Sequence, residues 1–274
     1  MPPRFGQRGV RPDVSPSWPD GSHAARDLVL APRRPYDAAV TARLYLDDAY
    51  LSSFGAVVTA AHDGWVALDR TAFYPGGGGQ PPDQGSLAVD GSDIGVTEVK
   101  EDQDGRVWHH VHADLGVGST VEGRIDWPRR HAVMRAHGLM HVVNSVARAR
   151  FRGAITGVQL GVDRSRIDLR LSGFDRDRLP EFEDAVNAVL ARDLPIRAHV
   201  IPEAEYRSRP ELVRTLNVEP PVAAGRVRVV EIVGFDAQAC GGTHVHSTGE
   251  IGTSRIIRYD NKGRDNKRLY WELA

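Results

Sequence analysis

The chain has 274 residues, 41% hydrophobic and 26% charged, the balance of a soluble globular protein with room for one large or two ordinary domains. A formal net charge of −1 excludes a bulk polyanion binder, so any nucleic acid has to meet a local basic face. With one cysteine, Cys240, no internal disulfide can form; no apolar run approaches the roughly 18 residues of a membrane span, no secretory signal opens the chain, and a cytoplasmic location is expected.

Residues 1–35 hold seven of the 17 prolines, and six arginines against three aspartates. Such a segment buries too little apolar surface to offset its ordering entropy, so it is expected to be disordered. A basic arm that touches RNA is the functional alternative. Residues 36–127 carry the signals of short strands. Thr41-Ala-Arg-Leu-Tyr-Leu alternates, Ala56-Val-Val-Thr and Gly64-Trp-Val-Ala-Leu-Asp follow, and Gly-Asp pairs punctuate throughout. The expectation is a compact antiparallel β-barrel with a glycine-rich loop at its centre. Pro128 opens a different pattern, and Arg129 to Arg152, rich in Ala, Val, Met and Arg, predicts a helix. A strand from Arg166 to Leu171 and a second helix from about Asp177 to Arg192 come next. Strands return at Val227–Val233 and Ser254–Tyr259, so residues 128–274 read as α+β.

His137 and His141 lie four apart on the first helix, one turn apart on the same face. Cys240 and His244 bracket Gly-Gly-Thr, which lets a thiolate and an imidazole converge. Three imidazoles and one thiolate suit tetrahedral zinc. The His spacing also matches the metalloprotease pattern H-E-x-x-H, but Gly138 stands where that chemistry needs its glutamate base, so the protease reading fails. Gly76 to Gly79 is no P-loop either: no Lys-Ser or Lys-Thr follows, and no nucleotide cofactor is expected. Bare backbone there suits close approach to a ligand, with the Gln80 amide beside it.

Four motifs in order then carry a resemblance. Cys240-Gly-Gly-Thr-His-Val, with Thr248-Gly-Glu-Ile-Gly, resembles the signature of the alanyl-tRNA synthetase editing domain and of the free-standing AlaX proteins. Phe73-Tyr-Pro-Gly-Gly-Gly-Gly-Gln-Pro-Pro-Asp-Gln-Gly is similar to that family's glycine-rich motif. Val121-Glu-Gly-Arg-Ile-Asp-Trp-Pro-Arg-Arg resembles the approach to its zinc helix, and Arg166-Ile-Asp-Leu the strand that follows. The resemblance implies an α+β fold: a β-barrel over residues 36–127 joined to a zinc-binding editing domain over 128–274. It implies zinc on His137, His141, Cys240 and His244, and hydrolysis of the ester of a mischarged tRNA, in trans because no room remains for charging. The partner is then the acceptor end of an aminoacyl-tRNA, with Ser- or Gly-tRNA of alanine identity as substrate.

Within that frame Gln80, His137 and His141 are the catalytic candidates. Gly77, Gly78, Gly79, Gln80, Gly138 and Thr243 are the substrate-binding ones. Gly138 departs from the Thr or Ser common in the family. It reads as close helix packing or as a roomier pocket for a threonine-like or fluorothreonyl group, since the family includes a fluorothreonyl-tRNA deacylase. A zinc-stabilised RNA-binding module without turnover is the alternative of another class. His109, His110 and His112 read as structural, and His246 as a solvent-facing strand residue. Arg129, Arg130 and Arg135, with Lys262, Arg264, Lys267 and Arg268, are candidates for phosphate contact or for solvated charge.

Overall fold

The computed structural model describes residues 40–213 and 222–274. The expectation of disorder for residues 1–35 lies outside that range. The first described segment corrects the reading of Thr41–Leu46 as a strand. Only β1 (Ala42–Arg43) is extended, paired in parallel with β4 (Arg70–Thr71), and α1 (Leu44–Asp47) is a single helical turn. The hydroxyl of Thr41 explains the break: it donates to Leu68 O at 2.9 Å and accepts from Val107 N at 3.0 Å, pinning the chain before the turn.

A closed barrel follows, built from β2 (Ser53–His62), β3 (Trp65–Leu68), β5 (Gly85–Val89), β6 (Ser92–Glu101), β7 (Val107–Val111) and β8 (Thr120–Ile125). Its order is β2-β3-β7-β6-β5-β8, every pairing antiparallel. Period-two patterning drives it: Phe54, Ala56 and Val58 of β2 and Val121 and Ile125 of β8 point inward with Leu87, Val96 and Val107. Closure leaves no barrel edge unpaired. Gly123 faces the Phe54 ring, and a Cβ there would lie 2.4 Å from it.

Helix α2 (Trp127–Phe151) begins where Asp126 accepts from Arg129 N at 3.2 Å, with Pro128 in the first turn, and ends on Arg152 at φ +51°. It is buried almost continuously from Val133 to Ala147. The helix packs with α3 (Leu179–Leu190) against a sheet ordered β15-β16-β10-β9, comprising β9 (Ala154–Gln159), β10 (Ser165–Arg170), β15 (Ser254–Asn261) and β16 (Asn266–Leu273). Strands β9 and β10, like β10 with β16 and β15 with β16, run antiparallel. A second small sheet joins β11 (Ile196–Pro202), β12 (Val222–Ala223), β13 (Arg226–Ile232) and β14 (Asp236–Ala239) around β13, with helix α4 (Glu203–Ser208) beside it. The mixed α+β architecture with a closed barrel is the expected one.

The glycine-rich loop leaves β4, crosses to β9 and returns to β5. Gly76, Gly77, Gly78 and Gly79 have φ of +87°, +125°, +58° and +86°, a left-handed run that residues with a Cβ rarely adopt. Leu160 N donates to Gly79 O at 2.8 Å, and a Cβ on Gly79 would lie 2.5 Å from Val158 O. The loop is held at its far end by a buried ion pair. Arg130, fully buried on α2, donates from Nε to Asp83 Oδ1 at 2.9 Å and Oδ2 at 3.0 Å, and to the carbonyls of Ala49 and Ala72. Asp83 Oδ2 in turn accepts from Tyr74 N at 2.6 Å.

Candidate metal centre

Helix α2 presents His137 and His141 one turn apart, and the loop after β14 brings Cys240 and His244 to meet them. The four ligand atoms lie within 4.8 Å of one another. Cys240 Sγ is 3.5 Å from His137 Nε2 and 3.3 Å from His244 Nε2. Ligands bound to zinc at about 2.0–2.3 Å in a tetrahedron are separated by roughly 3.3–3.6 Å, so these spacings fit one ion. The protonation chemistry fits as well. Burial keeps His137 and His244 far below the ordinary imidazole range, and burial with the Arg228 charge holds His141 down to about 4. Neutral imidazoles are the ligating form. Burial pushes the Cys240 thiol up, opposed by the Gly242 N–H and the Arg228 guanidinium, so a lone thiolate is disfavoured there until a cation joins it.

Gln80 holds the centre from outside. Its Oε1 accepts from Thr243 N at 3.1 Å and faces His137 Nδ1 at 2.9 Å, while its Nε2 donates to Thr243 Oγ1 at 2.8 Å. An acceptor on Nδ1 places the ring proton there and leaves Nε2 free toward Cys240. Gly242 permits this approach: a Cβ would sit 2.3 Å from His137 Cε1 and 2.6 Å from Gln80 Oε1. Behind His141, Asn144 Nδ2 donates to Gln238 Oε1 at 3.0 Å, and the Gln238 amide nitrogen donates to Ser145, Asp236 and the His141 carbonyl.

A cavity of about 690 Å³ opens over this cluster. Its walls include His137, His141 and Cys240, the loop residues Gly76, Gly77 and Gly78, and the arginines Arg43, Arg226 and Arg228. Gly77 and Gly78 therefore reach the cavity, whereas Gly79, Gln80 and Thr243 stand behind its wall. Gly138 is placed elsewhere. A Cβ on it would meet Ile251 Cδ1 at 2.8 Å and Val245 Cγ2 at 3.6 Å, so its face of the helix is the packed one and the roomier-pocket expectation does not hold. Gln80 is 3% exposed and does not line the cavity; its oxygen faces Thr243 N and His137 Nδ1 and one amide N–H goes to Thr243, a geometry that supports the His137 ring.

Several basic candidates also find other tasks. Arg130 is spent on Asp83, and Lys267 is buried, donating to Asn261, Gly263 and Arg264 around its own hairpin. Arg135 caps the Ile251 carbonyl, and Arg268 pairs with Asp168. His109 is buried in the barrel between Thr71 Oγ1 and Val66 O, and His110 and His112 have no third ligand beside them among the described residues. His246 is exposed and stacks on Tyr50. Sequence reasoning missed Arg228, Asn144 and Gln238, which sit in regular elements whose sequence gives no sign of a cavity.

The comparisons agree with this geometry. The family described as "Threonyl and Alanyl tRNA synthetase second additional domain" matches residues 227–270, and "tRNA synthetases class II (A)" matches residues 36–129. An alanyl-tRNA editing protein AlaX-M of Methanosarcina acetivorans is 39% identical over 244 residues, covering 85% of this chain and 99% of that protein. Its namesake in Saccharolobus solfataricus is 36% identical over 237 residues, covering 85% and 99%. An alanine–tRNA ligase of Korarchaeum cryptofilum is 42% identical over 224 residues, which are 80% of this chain but 24% of the ligase. With near-complete coverage of the AlaX-M proteins at this identity, the chain belongs to the AlaX family of alanyl-tRNA editing proteins.

Proposed function

We propose that this protein hydrolyses the ester of a mischarged aminoacyl-tRNA in trans, taking serine or glycine from tRNA of alanine identity, with zinc on His137, His141, Cys240 and His244. The observation that carries the reading is a three-imidazole, one-thiolate cluster opening on a cavity of about 690 Å³. That volume suits an aminoacyl group with part of its terminal adenosine. Zinc so held supplies positive charge and order at the reacting end of the cavity. The chain's own residues do the rest. Gly76, Gly77 and Gly78 offer backbone without side chains along one wall, where a ribose can lie close. Gln80 and Thr243 fix the His137 ring, and Met140, Ile155 and Val158 supply the apolar surface that limits water around the ester.

The fluorothreonyl alternative rested on space at Gly138, and the contact with Ile251 removes that support. The test is a deacylation panel of Ser-, Gly-, Ala-, Thr- and fluorothreonyl-tRNA with zinc-loaded protein. Fast release of serine and glycine with slow release of alanine is expected. A panel in which no ester is hydrolysed above the buffer rate would overturn the enzyme in favour of a binding module.

A further inference from the structure

Strand β13 alternates, and its Val227 and Val229 are buried in a small apolar cluster with Ile201, Tyr206 and Leu212. Arg226 and Arg228 face the other way and line the cavity. Arg228 is the inner of the two, and burial lowers its pKa. Among the described residues no carboxylate pairs with it. Its Nη1 donates to the carbonyls of Cys240 and Gly242, both at 2.9 Å, so the guanidinium is anchored on the very turn that carries two metal ligands. Those are its only hydrogen bonds among the described residues, and its Nε is buried without a partner. A guanidinium has five N–H donors, and leaving some unused away from water is costly.

Ester hydrolysis creates a demand that matches this surplus. The water oxygen adds to the ester carbonyl carbon, and the C=O electron pair moves onto oxygen as an oxyanion. Collapse breaks the bond to the ribose oxygen, which takes the proton the water gives up, leaving a free amino acid and deacylated tRNA. A zinc held on all four of these residues would have no open tetrahedral position, which leaves a role for a donor outside the set in meeting the oxyanion. Three other polar side chains on the cavity wall are committed, Asn144 to Gln238, Gln238 to Asp236 and Ser145, and Arg43 to Glu101, while Arg226 lies at the exposed end of the same strand face.

We infer that Arg228 is the oxyanion-binding residue, its free guanidinium N–H groups meeting the charge that develops on the ester carbonyl oxygen. The inference rests on the deacylase reading above, and two probes separate them: adenosine bearing a 3′-seryl amide, whose carbonyl centre is uncharged and planar, and its 3′-phosphonate counterpart, tetrahedral and anionic at that centre. In the zinc-loaded protein, Arg228→Gln should lower the single-turnover rate by about 10²–10³, as loss of an oxyanion donor does, with tRNA affinity and one zinc per chain retained. It should abolish the preference for the phosphonate and leave amide binding unchanged, while Arg228→Lys, which keeps the charge but not the fork, restores part of both. An unchanged rate, equal loss of both probes, or loss of zinc from both variants would reduce Arg228 to an anchor of the ligand turn. A wild-type protein that prefers the phosphonate through Arg228 yet hydrolyses no ester would support the anion site and sink the deacylase.

Discussion

Gln80 joins the glycine loop to the metal centre through one amide, so its removal separates support from fold. Gln80→Ala leaves Nδ1 of His137 without its acceptor and Thr243 without two contacts. Loss of such a supporting bond costs roughly 10–100-fold in metal affinity or activity. A competition titration with a zinc chelator, read beside deacylation, should show both falling while the far-ultraviolet spectrum stays put. Unaltered affinity and rate would detach Gln80 from the site. Gly138→Thr makes the opposite case. The new side chain meets the flexible end of Ile251, so overpacking of about 1–3 kcal/mol is expected, with no change in the relative rates on Ser- and Thr-tRNA. A shift in that ratio would return position 138 to the pocket.

At the scale of elements, the Arg130–Asp83 pair locks the glycine loop to the helix that carries two ligands. Asp83→Ala leaves a fully buried guanidinium without its carboxylate, a change that typically costs about 3–5 kcal/mol. Urea unfolding should register a loss of that order, and a loss near zero would mean that water replaces the carboxylate. The barrel has its own pH signature in His109, held at about 4 by burial against 6.5 for a free imidazole. The unfolded chain takes up this proton first, so the contribution of His109 is whole above pH 6.5 and drains away as pH falls toward 4. His109→Gln should flatten stability against pH across that window, and an unchanged slope would assign acid sensitivity elsewhere. Parts of β2 and β3 and helix α2 were legible because their signals are local: Ala56-Val-Val-Thr and Gly64-Trp-Val-Ala-Leu-Asp between turn residues, and Pro128 ahead of a run rich in Ala, Val and Met. Strand β9, Ala-Ile-Thr-Gly-Val-Gln, and the largely exposed β11 carry no such pattern. They exist because neighbouring strands pair with them. Arg228 was illegible for a related reason. In Arg226-Val-Arg-Val it reads as a solvent-facing alternation, and only the turn from Cys240 to Gly242, folding over it, turns that face into a cavity wall.

Across the whole molecule the ligands come from two distant stretches of chain, His137 and Cys240 being 103 residues apart. Metal removal should therefore act on stability and not on activity alone. Stripping with a chelator is expected to lower Tm and to let zinc restore it in a concentration-dependent way. The same Tm with and without metal would show a centre that the fold does not need. The spacing has a further consequence. An ion shared by α2 and the loop after β14 would work as a cross-link, closing a loop of about 100 residues, a constraint worth about 4–5 kcal/mol when a disulfide supplies it. A chain with a single cysteine cannot make that covalent bridge within itself, and a metal held on these four residues would tie a late segment to an early one. During synthesis the paired histidines of α2 emerge long before Cys240 and His244. Such a cross-link would close only once Cys240 and His244 have joined the histidines of α2, which would tie metal capture to the folding of both stretches.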